Sequence, residues 1–108
     1  VKIGLDFYDT ITRDPKFFRQ FAQFVLDAGG QIWIVSAIGP YNNKQAHKDI
    51  KKSRVPYTGV ELVVFSQYHE VPSLKMEVFE RLGLDMIIDD RADTVASAWV
   101  HGIAGFSL

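Results

Sequence analysis

The chain of 108 residues contains no cysteine. That excludes a disulfide framework and a thiolate metal site, and it agrees with a reducing compartment. An excess of charge of either sign is also missing, since 12 basic against 13 acidic side chains leave −1 with histidine neutral. A near-neutral chain gives no global electrostatic reason to bind nucleic acid or a membrane surface. No apolar run reaches the roughly 18 residues of a membrane span. The chain enters a strand pattern at Val1–Leu5, without the basic and apolar regions of a secretory leader. The expected location is therefore the cytoplasm, with no membrane partner. Internal repeats, linkers and low-complexity segments are absent too, so a single domain over 1–108 is expected. His47, His69 and His101 are scattered and lack metal-ligand spacing.

What the chain does have is apolar side chains in short runs, 47% of the total. Residues 2–6, 31–36, 61–65 and 85–89 read as strands, and 102–106 as a fifth, edge strand. Helical patterns fall between them. Asp14-Pro15 is a helix start, with Asp as N-cap and Pro at the first helical position. Phe18, Phe21, Ala22 and Val25 follow at helical spacing and are expected to face the sheet, and Gly29-Gly30 ends the helix. A polar helix is expected over about 41–53. Ser73 is expected to cap a helix over about 74–82, with Leu74, Val78 and Leu82 on one face. A last helix over about 92–100 would pack Val95, Ala98 and Trp99. Trp33 and Trp99 both read as core residues. Strictly alternating strands and helices predict an α/β fold, a parallel sheet between two helix layers.

Chemistry gathers at the strand ends. Asp89 and Asp90 close the apolar run that starts at Leu84, and Asp6-Phe-Tyr-Asp9-Thr10 follows the first strand. In open α/β sheets the carboxyl ends of the strands border the ligand crevice. Carboxylates brought together there need a cation or a basic side chain nearby. Asp6, Ser36 and Asp89 all fall at such ends, and Lys75 opens the helix that leads to the acidic strand. Each also has an ordinary reading. Asp6 can cap a turn, Asp89 or Asp90 can begin a helix, Asp93 can complement a helix dipole, Ser36 can be a plain strand-end hydroxyl, and Thr10 can shape the loop. Lys44, Lys48, Lys51, Lys52 and Arg54 form a basic stretch around His47. It reads as a solvated helix face or as a phosphate-contact surface, and it lacks the aromatic interleaving of a nucleic-acid groove.

Four elements in this order resemble the haloacid dehalogenase (HAD) superfamily, over essentially the whole chain: Asp6-Phe-Tyr-Asp-Thr10, Ser36, Lys75 and Asp89-Asp90 with Asp93 following. The resemblance implies a Rossmann-like three-layer α/β/α fold with five parallel strands in the order 3-2-1-4-5. It implies phosphomonoester hydrolysis, with Asp6 as the nucleophile that forms an aspartyl-phosphate. Mg²⁺ would be held by Asp6, the backbone carbonyl of Tyr8, Asp89 and Asp90, all hard oxygen donors. Ser36 and Lys75 would hold the phosphoryl group. The ending Ile87-Ile-Asp-Asp-Arg91 is similar to small HAD proteins of the deoxyribonucleotidase type, which implies a nucleotide or a nucleic-acid end as substrate.

One residue departs from the pattern. Tyr8 stands where the family's phosphatases have the second aspartate, their acid and base. Such help is worth about 10²–10⁴-fold. Several readings stay open: Asp9 substitutes, the enzyme is slow or retains the phosphoryl group, or the chain has kept binding and lost catalysis. The family's haloacid dehalogenases also carry tyrosine there, without metal and under a large helical cap. Here the gap after strand one holds a single helix, and Ser66 to Ser73 is a short loop carrying Tyr68 and His69. Neither encloses a small substrate. An open crevice suits a large substrate, or a cap lent by a second copy of the chain.

Overall fold

The computed structural model describes residues 1–108. Five strands, β1 (Lys2–Leu5), β2 (Gln31–Ile38), β3 (Gly59–Val64), β4 (Met86–Asp89) and β5 (Ala104–Ser107), alternate with four helices, α1 (Pro15–Asp27), α2 (Asn43–Ser53), α3 (Val71–Leu82) and α4 (Ala92–Val100). All strand pairs are parallel and the order is β3-β2-β1-β4-β5. This is the expected Rossmann-like topology.

Period-two alternation builds a core on each face of the sheet. Ile3, Leu5, Ile32 and Ile34 point to one side, where Phe18, Ala22 and Val25 of α1 and Ile50 of α2 cover them. Val35, Val63 and Ile87 point to the other, under Met76 and Phe79 of α3 and Ala98 of α4. The start of α1 is as read from Asp14-Pro15: the Asp14 carboxylate accepts from the Phe17 N–H at 3.1 Å. Such caps are worth about 1 kcal/mol.

Among the boundaries that differ from the expectation, three do so for a tertiary reason. β2 continues to Ile38, because Ala37 and Ile38 still pair with Val63 and Val64 of β3. Ser36 therefore lies two residues inside the strand and does not close it. β3 begins at Gly59, where a Cβ would lie 2.3 Å from the Trp33 ring, so only glycine lets the backbone pass the indole. α3 begins at Val71, not after Ser73. The capping box is made by Gln67 and Glu70 in a 3₁₀ turn over Tyr68–Glu70, and that turn runs into α3. Lys75 thus sits in the second turn of α3 rather than opening it.

Trp99 is not a core residue. It is 57% exposed on α4, its indole N–H donating to the Gly105 carbonyl at 2.7 Å and its ring 6.3 Å from Phe106. β5 is the edge of the five-stranded sheet. Trp33 is half-buried against the α3 side of the sheet.

Candidate functional site

The strand ends bring together what the sequence keeps far apart. Leu5 pairs with Ile88, and the Asp6 N–H donates to the Ile88 carbonyl at 2.9 Å. Asp6 is thereby fixed beside Asp89. Carboxylate oxygens of Asp6, Asp89 and Asp90 lie within 4.8 Å of one another. Asp6 and Asp89 are buried, Asp90 half-buried. Lys75 reaches in from α3 and is only 1% exposed. Its Nζ donates to Asp6 Oδ1 at 3.0 Å and to Asp89 Oδ2 at 2.5 Å. This is the basic side chain that clustered carboxylates require.

The remaining contacts fix orientation. Thr10 is buried and donates from Oγ1 to Asp6 Oδ2 at 3.2 Å, so it touches the site directly as well as shaping the loop. The loop turns tightly because the Phe7 carbonyl accepts from the Thr10 and Thr12 amides. Asp9 takes the left-handed conformation at φ 62°, one that aspartate tolerates better than most residues. Asp89 Oδ1 accepts the Arg91 N–H at 2.9 Å. Asp93 stands apart from the cluster, holding the Arg91 guanidinium at 3.0 and 2.7 Å. This pairing, with burial opposing it, holds the Asp93 carboxyl below the usual carboxylate range.

Burial disfavours the charged form of every group in the cluster. It pushes Asp6 up to about 7 from the ordinary 3.8. Lys75 opposes that rise, while the Asp89 charge and a hydrogen bond with Asp90 add to it. Asp89 is also raised, mainly by burial, against the pull of Lys75. For Lys75 burial works the other way, but the two carboxylates outweigh it and hold the ammonium in its charged form. The consequence for stability has a definite sign. A carboxyl whose pKa is raised by folding keeps its proton longer in the native state than in the unfolded chain. Between about pH 4 and about pH 7 the native state then binds more protons, so stability falls as pH rises. The expected result is a melting temperature that drops by several degrees across this window in chelator-containing buffer, with the slope flattened in Asp6→Asn. A melting temperature that rises with pH over the same range would mean that Lys75 outweighs the desolvation of Asp6.

These carboxylates, Asp6, Asp89 and Asp90, set against the single Lys75 ammonium leave a double negative charge when all are ionised. The donors are oxygens, and the backbone carbonyl of Tyr8 accepts no backbone hydrogen bond. The donor set and its charge fit a hard divalent cation such as Mg²⁺.

A crevice of about 630 Å³ opens above the cluster, lined by Asp6, Tyr8, Ser36, Tyr68, Lys75 and Arg91 among others. The Ser36 hydroxyl is buried, 1% exposed, and has no hydrogen-bond partner. Burying an unpaired hydroxyl is unfavourable unless a ligand completes it. Asp9 also lines the crevice, outside the carboxylate cluster. Tyr8 is 37% exposed and its hydroxyl turns away from the carboxylates, donating to Asp49 Oδ2 of α2 at 2.7 Å. Gln45 Nε2 holds the other Asp49 oxygen at 2.8 Å. Burial and the Asp49 carboxylate push the Tyr8 phenol up to about 12.

Sequence reasoning missed Asp49, Gln45 and Arg91, and underrated Thr10. Thr10 lies four residues from Asp6 within one loop, a usable signal. Asp49 lies 41 residues from Tyr8 amid lysines and carries no local sign of the contact.

No family model matches the chain, and no curated protein matches it either. Solved structures do share its fold. A chain of the Pnkp1/Rnl/Hen1 RNA repair complex superposes with a TM-score of 0.79 at 15% identity, over 99% of this chain and 42% of that one. A chain from a second structure of the Pnkp1/Rnl/Hen1 complex gives 0.76 at 14%, over 99% of this chain and 45% of that one. The chain thus spans less than half the length of the solved chains it matches, and at these identities the likeness is one of fold.

Proposed function

We propose that the chain is a metal-dependent phosphomonoester hydrolase of the HAD type, working through an aspartyl-phosphate on Asp6. The observation that carries this reading is the buried and unpartnered hydroxyl of Ser36, a residue that lines the same crevice as Asp6 and Lys75. A phosphoryl oxygen is the acceptor it lacks. The acidic cluster, its net charge and the order of the four sequence elements support the same reading.

Mg²⁺, held by Asp6, Asp89, Asp90 and the Tyr8 carbonyl, would neutralise charge on the transferring group. Ser36 Oγ–H and Lys75 Nζ hold two phosphoryl oxygens. Thr10 fixes one oxygen of Asp6 and leaves the carboxylate aimed at phosphorus. A carboxylate oxygen of Asp6 bonds to phosphorus as the bond to the leaving oxygen breaks, and the electron pair stays on that oxygen. The leaving oxygen takes its proton from water, since the Tyr8 hydroxyl turns away from the carboxylates and donates to Asp49. Water then attacks the phosphoryl group, releasing inorganic phosphate and restoring the Asp6 carboxylate. Without a carboxylic acid at position 8, aryl phosphates, whose leaving group needs no proton, are favoured over alkyl phosphates by about 10²–10⁴-fold.

The test is p-nitrophenyl phosphate turnover with Mg²⁺ and with chelator. Ser36→Ala is expected to lower kcat/KM by about 10–100-fold, the worth of a hydrogen bond to a charged group. It is expected to leave the melting temperature unchanged or raised, because it removes an unsatisfied buried hydroxyl. A Ser36→Ala enzyme of full activity would refute the assignment.

The Tyr8–Asp49 hydrogen bond favours a second reading, a HAD-fold binding protein whose chemistry has been silenced. The same assay separates the two. A silent native chain that gains turnover as Tyr8→Asp would make binding the function.

A further inference from the structure

The crevice is not isolated. A depression of about 370 Å³ adjoins it across Tyr8 and is lined by Arg19 and Lys52. Another of about 420 Å³ shares Gln45 with the crevice and Asp49 and Lys52 with its neighbour, and is lined by Lys48 and Lys51 as well. The three adjoin through these shared residues, and the groove they outline leads from the Ser36–Lys75 pair, past Tyr8, to a basic shelf along α2.

The shelf concentrates charge. In a chain of net charge −1, α2 carries Lys44, Lys48, Lys51 and Lys52 against Asp49 alone. Asp49 is itself engaged by Tyr8 and Gln45. Exposed lysines on a helix are ordinarily just solvated, but these line depressions that join the candidate site. A substrate with one phosphate would use only the crevice. The shelf suits further phosphates at fixed intervals beyond it.

On the opposite wall the aromatic groups missing from α2 are supplied by the loop before α3. Tyr68 is 72% exposed, yet its ring is held in place. Phe65 lies 4.9 Å away, centroid to centroid. The Arg91 guanidinium lies 5.8 Å from the ring centroid, donates to the Tyr68 carbonyl at 3.1 Å and is itself fixed by Asp93. A large, open and immobilised aromatic ring beside a phosphate site is a stacking platform for a planar base.

We propose that the groove takes single-stranded nucleic acid ending in a phosphate: the terminal phosphate at Ser36 and Lys75, the terminal base on Tyr68, and the following phosphates over Lys48, Lys51 and Lys52. The assignment rests on the phosphate-binding reading of the crevice and names its substrate class. An unpaired strand suits the groove best, because its bases leave their faces free for the ring while a duplex exposes only its terminal pair.

Binding can be read without turnover, using Asp6→Asn protein with Mg²⁺ and a short fluorescent oligonucleotide bearing a terminal phosphate at either end. The oligonucleotide is expected to bind at least tenfold more tightly than a mononucleotide. Its affinity should fall about sevenfold from 50 to 200 mM salt if two phosphates are contacted. Tyr68→Ala should weaken binding about tenfold. Lys48→Glu/Lys52→Glu should abolish the advantage of length. Equal affinity for mononucleotide and oligonucleotide, tighter binding of a phosphoserine peptide, or indifference to the lysine reversal would overturn the proposal. Turnover of p-nitrophenyl phosphate by the native chain keeps the two readings apart. Hydrolysis without a length effect sinks the groove alone. Salt-dependent oligonucleotide binding that needs the terminal phosphate, without hydrolysis of any substrate, upholds the groove and sinks the phosphatase.

Discussion

Asp6→Asn should abolish p-nitrophenyl phosphate turnover, by at least about 10⁴-fold, the scale on which loss of a nucleophile is felt, while the domain melts at a higher temperature above pH 7. The two effects have one cause. Asp6 is buried beside Asp89 and Asp90, and its carboxyl is pushed up to about 7. The fold bears the cost of ionising it so that a carboxylate oxygen faces the crevice. An amide keeps an acceptor for the Lys75 ammonium and leaves it one carboxylate partner, Asp89, while removing a buried charge. A residue needed only for structure would show the reverse pattern, with activity falling in step with stability. If Asp6→Asn destabilised the domain and retained more than a hundredth of the activity, Asp6 would be a structural partner of Lys75, and the nucleophile would have to be sought elsewhere.

Much of this site is legible in the sequence because open α/β sheets put the carboxyl ends of their strands along one edge. Asp6 and Asp89 could be placed together from two apolar runs and an order of elements, without any contact being known, and the register Leu5–Ile88 accounts for their meeting. The sheet order came with the family resemblance, since alternating strands and helices imply a parallel sheet but not which strands are neighbours. What was not legible depends on side chains crossing between segments. The start of α3 was displaced to Ser73 because a serine before Leu74 is a fair cap, while the box that in fact begins the turn joins Gln67 and Glu70. The helical spacing of Trp99 matched a core position, but spacing along a helix does not reveal how little of that face the edge strand β5 covers. The absence of aromatics in the basic stretch counted against a nucleic-acid groove. In the fold the rings come from Tyr8 and Tyr68, outside that stretch, and linear composition does not register such an encounter.

Tyr8 is where these levels conflict. By position it belongs to the loop of the proposed metal site, to which it would offer only its carbonyl. By side chain it belongs to α2, through Asp49. The departure from the phosphatase pattern therefore leaves the proposed metal donors in place and ties the Asp6 loop to the basic helix by one hydrogen bond, so the phenol is not free for acid–base chemistry at the carboxylate cluster.

Lys75→Met carries the largest expected stability effect. The methionine is close in volume and fully apolar, so packing around α3 is little disturbed. What disappears is the ammonium shared by Asp6 and Asp89. Removing one partner of a buried ion pair typically costs about 3–5 kcal/mol, because the remaining charge has neither water nor a counter-ion. Against a total of about 5–15 kcal/mol for a domain, that is a large fraction. Urea titration at about pH 8 in chelator should show the full loss. At about pH 5 it should be smaller, since Asp6, pushed up to about 7 by burial, then takes up a proton and no longer needs compensation. Lys75→Met/Asp89→Asn should recover a substantial part of the loss at the higher pH, and Mg²⁺ should recover part of it in the single variant by supplying the missing positive charge. If the loss is under about 1 kcal/mol, or is equal at both pH values, the carboxylates are better hydrated than their burial implies. The charge argument that links this lysine to a divalent ion would then fail with it.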